Sequence, residues 1–160
     1  MPPITTNALG GVGNICTNLE YYMETGDIGT ASAIYATSYV YYWDWIRAGN
    51  AACIYAQQLG KKELNRCSDI IQYIRRGLKS FYQNMSFLVD AELSPLEDEA
   101  LMDYLRNAHD LLTELSDICI KHEMYTYREG TRTYLERQLE LYEELGPLSE
   151  RFFEELQYTS

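Results

Sequence analysis

The stretch KKELNRCSDIIQYIRRGLKSFYQNMSFLVD, residues 61–90, decides the fold class. Within it Leu64, Cys67, Ile71, Ile74, Leu78, Phe81, Met85 and Leu88 recur at alternating steps of three and four. That spacing returns each apolar side chain to one face of an α-helix. At 1.5 Å per residue, the helix predicted over 61–90 is about 45 Å long.

Working upstream, no proline interrupts residues 30–59. Ile34, Ser38, Tyr41, Trp45, Ala48, Ala52, Tyr55 and Leu59 mark one helical face, while Tyr35, Tyr39, Tyr42 and Ile46 make the opposite side apolar too. A helix apolar on several sides is covered from several sides. Gly49-Asn50 is expected to break or bend it, since glycine costs about 1 kcal/mol against alanine in a helix. Thr25-Gly26-Asp27 reads as a stop followed by a new start after a short helix over 15–24. Residues 1–14, small and Gly-rich, read as an extended arm.

Downstream, Ser94-Pro95 followed by Glu97, Asp98 and Glu99 signals a helix start, with a capping side chain, proline in the first turn and acids at the positive end of the dipole. Leu101, Leu105, Ala108, Leu112, Leu115, Cys119 and His122 carry the stripe onward. Gly130 is expected to interrupt it, a further helix to cover about 131–145, and Gly146-Pro147 to end that one before a short last helix. No strand and no internal repeat is predicted. The expectation is one all-α domain over 15–160, a bundle of about five helices.

Composition narrows the function classes. The net charge is -11, and residues 1–90 balance seven acids against seven bases. That leaves 17 of the 24 acids and 6 of the 13 bases beyond residue 90. An acidic half of this kind repels nucleic acid, whose affinity comes mostly from cationic contacts to phosphate. The basic stretch Lys61–Lys79 reads as a solvated face. No apolar run approaches the roughly 20 residues of a membrane span. Met1-Pro2-Pro3-Ile4-Thr5-Thr6 lacks the basic and apolar regions of a signal peptide, so a cytoplasmic location is expected. Cys16, Cys53, Cys67 and Cys119 form no CxxC pair and are expected to be free thiols.

No catalytic motif is present, and a non-enzymatic protein is expected. His109 and His122 are not preceded at three residues by glutamate, as a di-iron bundle requires. Cys119 and His122 share a helix face, which leaves a Cys/His metal site as an alternative to core packing. Gly10-Gly11-Val12-Gly13 lacks the Lys-Ser/Thr of a phosphate loop. The 15 tyrosines are the compositional oddity. A large apolar body with a polar tip suits interfaces, and Tyr35, Tyr39, Tyr42, Trp43 and Trp45 are the candidate interface residues. Core packing is the competing reading.

Several landmarks resemble phycobiliproteins, the globin-like helical subunits of light-harvesting antennae. Tyr21-Tyr22-Met23-Glu24-Thr25-Gly26-Asp27 is similar to the family's entry to its first long globin helix. Ala48-Gly49-Asn50 is similar to a tripeptide near that helix's end. Cys67-Ser68-Asp69-Ile70-Ile71-Gln72-Tyr73-Ile74-Arg75 resembles the bilin-attachment helix. Ser94-Pro95-Leu96-Glu97-Asp98 and Phe153-Glu154-Glu155-Leu156 resemble later family segments. The resemblance implies a globin-like arrangement and a bilin held by Cys67, Asp69 and Arg75, with the thioether on the cysteine and the aspartate at the pyrrole nitrogens. It implies an antenna subunit, with or without pigment, that works by assembling with protein partners. The alternative is a structural or adaptor protein of another assembly, such as a virion or scaffold.

Overall fold

The computed structural model describes residues 11–122 and 132–157, with 132–134 as backbone only. These residues form six α-helices and a short 3-10 turn, and no strand occurs among them. The all-α expectation holds, with one helix more than the five predicted.

Helix α1 spans Gly11–Thr25. The sequence predicts an arm up to residue 14, but the helix starts one turn earlier. The reason is that Val12 continues the stripe of Ile15, Cys16, Leu19 and Tyr22, and all five are buried. The rest of the predicted arm, residues 1–10, lies outside the described residues. Gly26, at φ +68°, closes α1. Asp27 then caps α2, Ile28–Leu59, by accepting from the Thr30 amide at 2.8 Å. This is the stop and restart that Thr25-Gly26-Asp27 predicts.

Helix α3, Lys61–Asp90, has the predicted bounds. A single residue, Gly60, joins it to α2. At φ +152° and ψ +167° Gly60 occupies backbone space that only glycine enters without strain. The two long helices therefore fold back on each other as an antiparallel hairpin. Its register is visible in three pairs: Tyr39 with Tyr82, Trp45 with Ile71, and Gly49 with Ile71. Tyr39 with Tyr82 and Gly49 with Ile71 lie nearly symmetrically about residue 60, and the long Trp45 side chain reaches Ile71 from one turn further back. Gly49 does not break α2. A Cβ there would sit 2.7 Å from Cγ2 of Ile71, so glycine serves close helix approach.

The predicted start at Ser94 is displaced. Ser94 caps only the 3-10 turn Pro95–Glu97. Asp98 begins α4, Glu99–Lys121, by accepting from the Leu101 amide at 3.0 Å. Helix α5 spans Arg132–Glu144 and α6 spans Gly146–Glu155. Gly146-Pro147 does end α5, yet it also opens α6, because proline lacks only an amide that the first turn leaves unpaired anyway. Gly130 lies outside the described residues.

Packing closes a ring in the order α2, α1, α4, α6, α3, with α5 against α2 and α3 beside the Gly60 turn. Antiparallel α1 and α4 are pinned by Glu20 to His109 at 2.9 Å and by Thr113 to Cys16 at 3.6 Å. At the α3–α6 crossing, a Cβ on Gly77 would come within 2.4 Å of the Phe152 carbonyl. Inside the ring lie Trp45, Tyr22, Tyr41, Tyr142, Phe81 and Phe152. Buried hydroxyls are mostly satisfied, as desolvation demands. Tyr22 donates to the Leu93 carbonyl at 2.8 Å and Tyr104 to the Leu156 carbonyl at 2.7 Å. Among the described residues, no helix is long and apolar enough to cross a membrane.

Candidate interaction surface

The tyrosine-rich face of α2 divides in two. Trp45 is fully buried, its Nε1 donating to the Ile71 carbonyl at 3.1 Å and its ring edge-on to Tyr142 at 5.5 Å. It belongs to the core and not to an exposed face, because position 45 shares the stripe of Tyr41, Ala48 and Ala52. Tyr42 is 5% exposed, so it too is mainly packing, yet its ring forms the floor of an outer cluster.

That cluster contains Tyr35, Tyr39, Tyr42 and Trp43 from α2 and one residue the sequence reading missed, Tyr82 from α3. Tyr82 stands edge-on to Tyr39 at 5.3 Å and to Tyr42 at 5.2 Å, and it lies 6.2 Å from Tyr35. Trp43 adds an edge contact to Tyr42 at 5.4 Å and to Tyr39 at 6.4 Å. Edge-to-face pairs of this kind hold rings rigidly. The outer surface stays open: Tyr39 is 41% exposed, Trp43 46% and neighbouring Val40 51%. Arg75 supports the floor, donating from Nη1 to the Tyr42 hydroxyl at 3.3 Å and from Nε to Gln72 at 2.7 Å. Burial among the other rings raises the Tyr82 phenol above its ordinary value. The signal that finds Tyr82 is the hairpin register: a turn at Gly60 brings residues near 82 opposite residues near 39.

The residues implied by the bilin resemblance do not converge. Cys67 is buried and its thiol interacts with Cys53 across the hairpin. Asp69 is exposed, two residues further round α3, and Arg75 points to Tyr42. The cavity beside Cys67, lined by Arg66 and Ile70 of α3 with Leu139 and Tyr142 of α5, holds about 100 Å³. Pockets for drug-sized ligands run from about 300 to 1,000 Å³, so these residues do not fit a linear tetrapyrrole.

Cys119 and His122 part in the same way. The Cys119 thiol is buried near Tyr41, and desolvation pushes it up to about 12. His122 faces Glu144 at 3.1 Å, beside Lys121 at 2.9 Å from the same carboxylate. Those two partners hold Glu144 below the usual carboxylate range. Among the described residues, no three His, Cys, Asp or Glu side chains gather to hold a metal ion.

No family model, curated protein or solved structure matches this chain.

Proposed function

We propose that the protein is a helical subunit that works by binding other protein chains through the aromatic face of the α2–α3 hairpin. The observation carrying this reading is the Tyr39–Trp43–Tyr82 cluster. Its rings are fixed by edge contacts from two helices, yet Tyr39 and Trp43 remain almost half exposed. Preordered tyrosine and tryptophan offer large contact area at little entropic cost, which is why they dominate binding hot spots. Lys79, exposed on α3 one turn before Tyr82, supplies a cation on the same hairpin. The fitting partner is therefore a protein surface with apolar side chains and a carboxylate rim. The antenna-subunit resemblance is one form of this reading, without pigment at Cys67.

The test is gentle purification of tagged chain from its native cells, beside the double variant Tyr39→Ser/Trp43→Ser. Stoichiometric protein partners retained by the native chain and lost by an equally helical variant support the reading. A native chain that is monomeric by light scattering with no retained partner overturns it.

A further inference from the structure

Cys53 and Cys67 lie seven residues before and seven residues after Gly60, in register across the antiparallel hairpin. The register is fixed independently by Trp45 and Gly49 against Ile71. The α2 face toward α3 is built from Ala48, Gly49, Ala52 and Ala56, all buried. Small residues let the helix axes approach, and the hairpin register sets Cys53 and Cys67 at the same level. Cys67 is buried, whereas Cys53 is only partly covered. We propose that Cys53 and Cys67 are a reversible oxidation site, with Cys53 the residue that reacts with the oxidant and Cys67 the one that resolves it into a disulfide between α2 and α3.

The chemistry needs one co-reactant, a hydroperoxide such as hydrogen peroxide. The Cys53 thiolate attacks the terminal peroxide oxygen, the O–O bond breaks, and the released hydroxide takes up a proton as water. Cys53 is then a sulfenic acid. The Cys67 sulfur next attacks the Cys53 sulfur, the S–O bond breaks, and the hydroxyl leaves as water with the Cys67 proton. Two thiols are oxidised by two electrons, and one hydrogen peroxide is reduced to two waters. Interaction with Cys67 lowers the Cys53 thiol below its ordinary value, which favours thiolate for the first step, while Cys67 is pushed up and held protonated until its neighbour is oxidised. Cys16 and Cys119 sit elsewhere in the core, both raised by burial, and have no role in this step. The new bond would tie together the two helices that carry the aromatic face.

The experiment treats the reduced, full chain with equimolar hydrogen peroxide, alkylates it in denaturant, and maps it by mass spectrometry. The expected product is about 2 Da lighter than the dithiol, with a Cys53–Cys67 cross-linked peptide and with Cys16 and Cys119 alkylated. Added dithiol should restore four alkylated cysteines. In Cys67→Ser the reaction should stop at a Cys53 sulfenic acid, trapped by dimedone. Cys53→Ser should leave Cys67 reduced. Cys53 that stays alkylatable in the native chain, a sulfenic acid that accumulates there, or pairing with Cys16 or Cys119 would each overturn the proposal. Both variants conserve side-chain size, and circular dichroism checks their folding.

Discussion

The indole of Trp45 and the backbone carbonyl of Ile71 are joined by a 3.1 Å hydrogen bond in the centre of the α2–α3 hairpin. One turn later Gly49 admits the Ile71 side chain. Together they set how closely and in what register the two long helices meet. The aromatic face and the cysteine pair both depend on that register.

Replacing Trp45 should therefore cost more than any other single aromatic change on α2. Trp45→Phe loses the hydrogen bond and part of the packing and is expected to destabilise by about 2 kcal/mol, and Trp45→Ala by about 3–5 kcal/mol. Urea titration followed by circular dichroism measures both. The remaining Trp43, being exposed, should give the red-shifted emission of a solvated indole already in native Trp45→Phe.

Gly77 should tolerate no side chain. A methyl group would meet the Phe152 carbonyl, a backbone atom that moves only if α6 moves. Gly77→Ala is expected to cost about 1–3 kcal/mol by overpacking. Hydrogen exchange should locate the loosening in α6 and at the Tyr104–Leu156 bond, with the α2–α3 hairpin less affected.

Two buried tyrosines should respond oppositely to loss of the hydroxyl. The Tyr41 hydroxyl is buried with no hydrogen-bond partner, whereas that of Tyr104 bonds to the Leu156 carbonyl and accepts from Asn84 at 2.8 Å. Removing an unsatisfied buried group relieves its desolvation cost, while removing a satisfied one strands its partners. Tyr41→Phe should raise stability by up to about 1 kcal/mol and Tyr104→Phe lower it by about 1–2 kcal/mol, read from denaturation midpoints.

The thiols should separate by pH. In the native chain Cys53 should alkylate at lower pH than an ordinary thiol, because hydrogen bonding from Cys67 favours its thiolate. Cys119 should stay unreactive until the chain opens. Its folded value, about 12, lies above the ordinary 9.0, so the neutral form is favoured in the fold. The contribution is whole below pH 9 and shrinks as pH climbs from 9 toward 12, because only the unfolded chain then loses the proton. Stability should fall over that window, and Cys119→Ala should flatten the fall. Differential scanning calorimetry at stepped pH measures it.

The aromatic face should be nearly silent in stability. Trp43→Ser removes a side chain that is 46% exposed and is expected to shift unfolding by only about 0.5 kcal/mol. If the face is a binding hot spot, the same change should weaken partner affinity at least tenfold, about 1.4 kcal/mol. Titration calorimetry with the retained partner separates the two effects.

The amino-acid sequence determined α3 almost alone. An unbroken alternation of three and four from Leu64 to Leu88 has no competing reading, since a strand would bury every second residue. It also marked Gly26-Asp27 as a boundary, because only a short list of residues closes one helix and caps the next. What tertiary structure decided was which apolar residues are core. Trp43 and Trp45 are two positions apart and chemically alike, yet one faces solvent and the other Ile71. Helical spacing fixes their angle relative to each other but not which side a neighbour covers. The same holds for Gly49, which looks like a break until α3 arrives. It holds for Tyr82 and for the meeting of Cys53 with Cys67, which exist only because one glycine at position 60 folds two helices into register.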